Sequence, residues 1–254
     1  MIPKTIFQTW KSKTDFPKNF AYWSSTAKQV NPGYNHIIWD DEDNRKLIAD
    51  HYPWFLPTYD AFPAEIYRAD AIRPFFLYHH GGFYADMDVE FLRPLDELNL
   101  DTMTGVLLGS MGVNPAFEHS IPNATMASSA GQEFWLLVMA LMMEGHGSRP
   151  EYTTGPVMLK NAHDLYVGHY DQPVVQERLD TIRSLMGVTT EKSNIYIASG
   201  NVFFPLDWND RIHDQFRRDL LKSGELLDRS TALALFPQSV TTTYWTHTWE
   251  PQQL

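Results

Sequence analysis

The stretch that most constrains the fold runs from residue 64 to residue 91. A helical run over 64–80 is stopped by Gly81-Gly82. Residues 83–91 then read as a strand of aromatic and β-branched residues, and Asp86 and Asp88 stand inside it. Strand side chains alternate, so both carboxylates are expected on one side and Met87 on the other. Two adjacent carboxylates repel unless a cation lies between them, and a hard oxygen pair suits Mn²⁺ or Mg²⁺. The remaining coordination positions are left to water and substrate phosphates. An isolated Asp-x-Asp is more often a solvated surface pair. Here Phe83, Tyr84, Ala85 and Val89 make the strand a core strand, and strand ends are where α/β folds place ligands.

In the helix just upstream, Ala69, Ile72 and Phe76 share an apolar face. Asp70 and Arg73 are three residues apart and can touch. Taken alone, they read as an exposed ion pair worth under about 1 kcal/mol. Pro74 removes the N–H bond to the carbonyl of Asp70 and predicts a kink.

Elsewhere, 5–7 opens as a strand and 19–30 as a helix stopped by Asn31-Pro32-Gly33. A strand over 34–39 is expected to bury Ile37, Ile38 and Trp39. Asp40 or Asp41 caps the next helix, with Glu42 and Asp43 in its first turn. Pro53, Pro57 and Pro63 punctuate an aromatic loop. Residues 104–108 read as a strand, 134–143 as an apolar helix ended by Gly145 and Gly147, and Pro156 opens a helix to 167. Residues 194–198, 232–236 and 240–245 read as strands. The early alternation of strands and helices predicts an α/β fold with a mainly parallel sheet and an irregular C-terminal half. No Gly, Ser or Pro linker divides the chain, so 1–254 is expected to be one domain.

Composition removes several function classes. With 20 basic and 31 acidic residues the formal charge is −11, which argues against nucleic acid as a partner. Cysteine is absent, which excludes disulfides and thiol chemistry. Apolar runs reach about ten residues, too short for a transmembrane segment. No signal peptide is visible, so a complete chain is expected in the cytoplasm.

The blocks Arg68-Ala69-Asp70-Ala71-Ile72-Arg73 and Gly81-Gly82-Phe83-Tyr84-Ala85-Asp86-Met87-Asp88-Val89 resemble the signature of glycosyltransferase family 32. That family holds α-mannosyltransferase-like hexosyltransferases with a DXD sugar-binding region, and it is distantly similar to the glucosylating toxins. Ile2–Trp10, Asn123–Ser128, Thr154-Gly155-Pro156 and Trp245–Trp249 resemble its other blocks.

The resemblance implies a GT-A fold and a metal-dependent, retaining transfer of a hexose from a nucleoside-diphosphate sugar to a hydroxyl acceptor. GDP-mannose is the first choice of donor and a UDP-hexose the alternative. The acceptor class is a glycan, glycolipid or small molecule. A trimmed catalytic domain of this kind would belong to the Golgi lumen. The resemblance also implies Mn²⁺ or Mg²⁺ at Asp86 and Asp88. It implies donor contacts from Trp10, Arg68, Asp70, Arg73 and Tyr84, with Asn123 near the sugar. Thr248 and Trp249 would close over the diphosphate. Phe7 and Thr243-Tyr244 stand where the family commonly has His, which makes His247 the candidate replacement ligand.

Two other classes compete. A metal phosphohydrolase would use Asp86 and Asp88 but needs more ligands than nearby motifs supply. A non-catalytic sugar- or nucleotide-binding module would explain the aromatics but not the acidic pair. His79 and His80 suit a helix C-terminus, and Met139, Met142 and Met143 suit a core. Trp54, Phe55, Tyr59 and Phe62 fit an acceptor site or a core equally well. Segment 240–249 is expected to act as a lid, with a packed edge strand as the alternative.

Overall fold

The structure is a computed structural model that describes residues 1–145 and 149–246. In chain order it contains β1 (Thr5–Thr9), α1 (Lys18–Val30), β2 (Asn35–Trp39), α2 (Asp41–His51), α3 (Leu56–Ala61) and α4 (Glu65–His79). Next come β3 (Gly82–Ala85), β4 (Val89–Phe91), two 3₁₀ turns, β5 (Val106–Gly109), β6 (Thr125–Ser128) and α5 (Phe134–Glu144). The rest is α6 (Pro150–Thr153), α7 (Pro156–Gly168), α8 (Pro173–Met186), β7 (Ile195–Ala198), α9 (Gly200–Phe203), α10 (Arg211–Ser223), α11 (Arg229–Leu235) and β8 (Thr241–Thr243).

Six strands form a sheet in the order β2-β1-β3-β6-β5-β7. Only β6 runs against its neighbours; the other pairings are parallel. This is the mixed α/β, mostly parallel architecture of a GT-A fold. Strand alternation feeds two cores. Phe7, Tyr84, Met126 and Leu108 face the large helical core built around α4, α5, α7 and α8. Ile6, Phe83, Ala85, Ala127 and Leu107 face a second core with Phe91, Phe203 and Phe204. A third cluster joins Phe20 and Trp23 of α1 to Met87, Phe236 and Tyr244.

The chain does not run as one strand from 83 to 91. β3 ends at Ala85, a turn closes with Val89 N donating to Asp86 O at 3.1 Å, and β4 begins at Val89 in a separate two-stranded sheet with β8. Asp86 and Asp88 therefore share a turn between two sheets, and strand alternation is not what brings them together. The Gly81-Gly82 pair is what starts β3. At Gly82, with φ of 111°, a Cβ would lie 2.7 Å from the carbonyl oxygen of Thr5 on the adjacent strand.

Other expectations are corrected locally. Residues 232–236 fall mostly in α11, whose N-terminus Asp228 caps, rather than in a strand. The proline-punctuated loop contains α3, with Pro57 at its tolerated first turn. Residues 37–39 are half-buried because β2 lies at the sheet edge. Asp40 does cap α2, in a reciprocal capping box with Asp43. Phe55, Tyr59 and Phe62 are buried in the large core with Trp54 packed against it, so they are core residues. Met139 and Met142 are buried there too, with Met143 against them. No helix among the described residues is long and apolar enough to cross a membrane.

Candidate active site

α4 supplies the first two side chains of the site. It is buried on most of its circumference, and Asp70 and Arg73 are each only 6% exposed. The reading of these residues as a surface pair is therefore wrong. Arg73 Nη2 lies 2.8 Å from Asp70 Oδ1 and 3.0 Å from Asp86 Oδ1. Its Nη1 donates to the carbonyl of Asn123 at 3.0 Å, and its Nε to the carbonyl of Ala69 at 3.2 Å. The guanidinium lies 5.1 Å from the Tyr84 ring centroid. Burial works against the Arg73 charge, but Asp70 and Asp86 outweigh it and hold its pKa above the ordinary arginine value.

Asp86 sits where β3 ends. Its backbone N–H donates to Ala124 O at 2.9 Å. Its backbone carbonyl accepts from Gln8 Nε2 at 3.0 Å. Gln8 is itself fixed, its Oε1 accepting from Ser24 Oγ at 2.6 Å and lying 2.7 Å from His36 Nε2. Tyr84 Oη donates to Asp86 Oδ1 at 2.8 Å. Burial, helped by the nearby Asp88 carboxylate, raises the Asp86 pKa to about 7 against the opposing pull of Arg73 and Tyr84. Asn123 Nδ2 donates to Asp70 Oδ1 at 3.2 Å, closing the network.

Asp88 is held from the other side. Thr246 N and Thr246 Oγ1 donate to its Oδ2 at 2.9 and 3.0 Å. Thr243 Oγ1 donates to its Oδ1 at 3.3 Å. The chain reaches Thr246 through Trp245, which has a φ of 48°, a costly value for a bulky residue. Three contacts hold it there. Trp245 N donates to Thr243 Oγ1, its Nε1 donates to Leu206 O at 2.6 Å, and its carbonyl accepts from Arg217 Nη1 at 2.7 Å.

One cavity of about 400 Å³ gathers Trp10, Asp70, Arg73, Tyr84, Asp86, Asp88 and Asn123. Trp10, packed edge-on to Phe20 at 4.9 Å, lines one wall. Arg68 is not brought there; its Nη1 donates to the carbonyl of Phe62. His247, Thr248 and Trp249 lie outside the described residues. Val240–Tyr244, the start of the expected lid, is buried, and β8 is paired with β4. Sequence reasoning missed Gln8, Thr243 and Thr246. Gln8 and Thr246 stand inside blocks quoted above and Thr243 where the family commonly has His, but their roles depend on contacts far along the chain.

The donor set fits a hard divalent cation. Asp86 and Asp88 bring two carboxylates into one cavity with Asp70, and a divalent ion would offset their repulsion. Among the described residues no third His, Asp or Glu completes a protein-only metal cluster, so water and a substrate phosphate would fill the other positions.

Residues 17–104 match the family described as a glycosyltransferase sugar-binding region containing a DXD motif. That segment holds Asp70, Arg73, Asp86 and Asp88 in the geometry above. This segment of the chain belongs to that family. The chain is 34% identical over 183 residues to inositol phosphoceramide mannosyltransferase 2 of Schizosaccharomyces pombe, covering 68% of this chain and 49% of that protein. It is 42% identical over 98 residues to mannosyl phosphorylinositol ceramide synthase SUR1 of Saccharomyces cerevisiae, covering 39% of this chain and 25% of that one. The chain spans about half, or less, of the length of these curated relatives. In structure it is similar to the PaToxG glycosyltransferase, with a TM-score of 0.54, 17% identity, and coverage of 76% of this chain and 81% of that one. That likeness supports the fold.

Proposed function

We propose that this chain is a metal-dependent glycosyltransferase that moves a hexose, mannose first, from a nucleoside-diphosphate sugar to an acceptor hydroxyl. The observation that carries this reading is the single cavity in which Arg73 braces Asp70 and Asp86 beside Asp88. Asp86 and Asp88 would hold Mn²⁺ or Mg²⁺. When bound, such an ion supplies Lewis-acid neutralisation of the leaving diphosphate. Thr246 and Thr243 fix the orientation of Asp88. Asp70 and Asn123 offer hydrogen-bonding groups to the donor sugar, and Trp10 offers an aromatic wall to the nucleoside.

In the transfer, the bond between the anomeric carbon and the phosphate oxygen breaks while the acceptor oxygen bonds to that carbon. The acceptor proton leaves with the phosphate. Front-face attack of this kind retains configuration and needs no side-chain base. The relatives' names make mannose the first donor sugar to test.

The test is nucleoside-diphosphate release from GDP-mannose, UDP-glucose, UDP-galactose and UDP-N-acetylglucosamine, with Mn²⁺ and with EDTA. Mn²⁺-dependent release from one donor supports the reading. Cleavage of simple phosphoesters instead would favour a phosphohydrolase.

A further inference from the structure

Beyond the acidic pair and the residues assigned above to the donor, the cavity has a further wall. His119, Glu151 and Trp208 line it. Glu151, in α6, has its Oε2 buried with no hydrogen-bond partner among the described residues. A buried carboxylate oxygen in this state is unfavourable until a donor reaches it. Close packing puts Glu151 beside Asp70. A Cβ added at Gly155 would lie 2.8 Å from Glu151 Cα and 3.1 Å from Asp70 Oδ2.

On the outside, Tyr152 Oη donates to Glu118 Oε2 at 2.7 Å. That bond fastens α6 to the loop before β6. The next residues inward, Glu151 and His119, are the ones that line the cavity. Trp208 meets His119 and Phe117 edge-on, with ring centroids 5.3 and 5.6 Å apart. Its loop is tied to the Asp88 turn through the Trp245 bond to Leu206 O.

We propose that Glu151, His119 and Trp208 form the acceptor subsite, and that it takes a neutral polyhydroxylated ring. This rests on the glycosyltransferase reading. An aromatic face covers the C–H face of such a ring, and a carboxylate accepts from its hydroxyls. Charge argues for neutrality. Glu151 and Asp70 bring two carboxylates together at this wall, and the one guanidinium among the described lining residues, that of Arg73, is already engaged by Asp70 and Asp86. An anionic ring against Glu151 would be repelled. Glu151 is a positioning residue here, since it orients a hydroxyl and takes no proton.

The test is ring binding by saturation-transfer NMR on protein loaded with GDP and Mg²⁺. The probes are methyl α-D-mannopyranoside, myo-inositol and myo-inositol 1-phosphate. The neutral rings should bind at least tenfold more tightly than the phosphate. Glu151→Gln and Trp208→Ala should each weaken neutral-ring binding at least tenfold, while the Kd for GDP with Mg²⁺ changes less than twofold. Trp208→Phe should restore most of the binding, and it serves as the readout should Trp208→Ala fail to fold. Ring binding indifferent to both positions, a preference for the phosphorylated ring, or an equal loss of GDP binding would overturn the subsite. Intact ring binding without turnover of any sugar nucleotide would instead overturn the transferase reading.

Discussion

At Asp88 both carboxylate oxygens accept hydrogen bonds, from Thr243 on one side and Thr246 on the other. Asparagine can keep an acceptor for Thr246 while losing the charge. Asp88→Asn should therefore fold normally by circular dichroism and lose at least about a hundredfold in turnover, as for loss of one strong electrostatic stabiliser. Arg73 is not the exposed partner that its spacing alone suggests. It is buried between two carboxylates, and removing one partner of a buried pair costs about 3–5 kcal/mol. Arg73→Ala should lower unfolding free energy in urea by about that much; a loss below about 1 kcal/mol would return it to a surface role. The i, i+3 spacing made the Asp70–Arg73 contact legible. Their burial was not, because it comes from α5, β3 and the Asn123 segment packing over α4.

At the element scale the misreading of residues 83–91 is instructive. Composition marks the stretch as strand, and local pattern holds no sign of the break at Asp86. The break comes from two partners distant in sequence, β6 beside β3 and β8 beside β4. Residues 232–236 form a short apolar run, which periodicity alone does not separate from a buried strand, but Ala and Leu are strong helix formers and Asp228 caps the segment as a helix. The α6–α7 corner offers a test of packing. Gly155→Ala must displace Glu151 or Asp70, so the melting temperature and turnover should fall together. Unchanged values for both would show that the corner yields freely.

The C-terminus of α4 carries a pH response. His79 packs against the rings of His51 and His80, with centroids 4.3 and 4.5 Å away, and its Nδ1 faces Tyr52 Oη. Burial and these neighbours lower its pKa from about 6.5 to about 4. Protonation thus favours the unfolded chain, and the stability His79 contributes above pH 6.5 is lost as pH falls toward 4. His79→Gln should flatten the decline in melting temperature across that window relative to the parent protein. An identical decline in both would remove His79 as its source.

Across the whole molecule, a turn between two sheets carries the acidic pair, one helix braces it, and a left-handed residue near the end of the described chain completes it. The fold class, the acidic pair and its neighbours Asp70, Arg73, Tyr84 and Asn123 were legible from short blocks. Gln8, Thr246 and the Glu151 wall were not, since each acquires meaning only through contacts across the fold. The most direct measurement of the central reading is nucleoside-diphosphate release from the four sugar nucleotides with Mn²⁺. Wild-type protein should turn over one donor, and EDTA or Asp88→Asn should suppress it at least about a hundredfold. Failure with every donor would contradict the transferase reading, and release indifferent to EDTA and Asp88→Asn would contradict a metal site at Asp86 and Asp88.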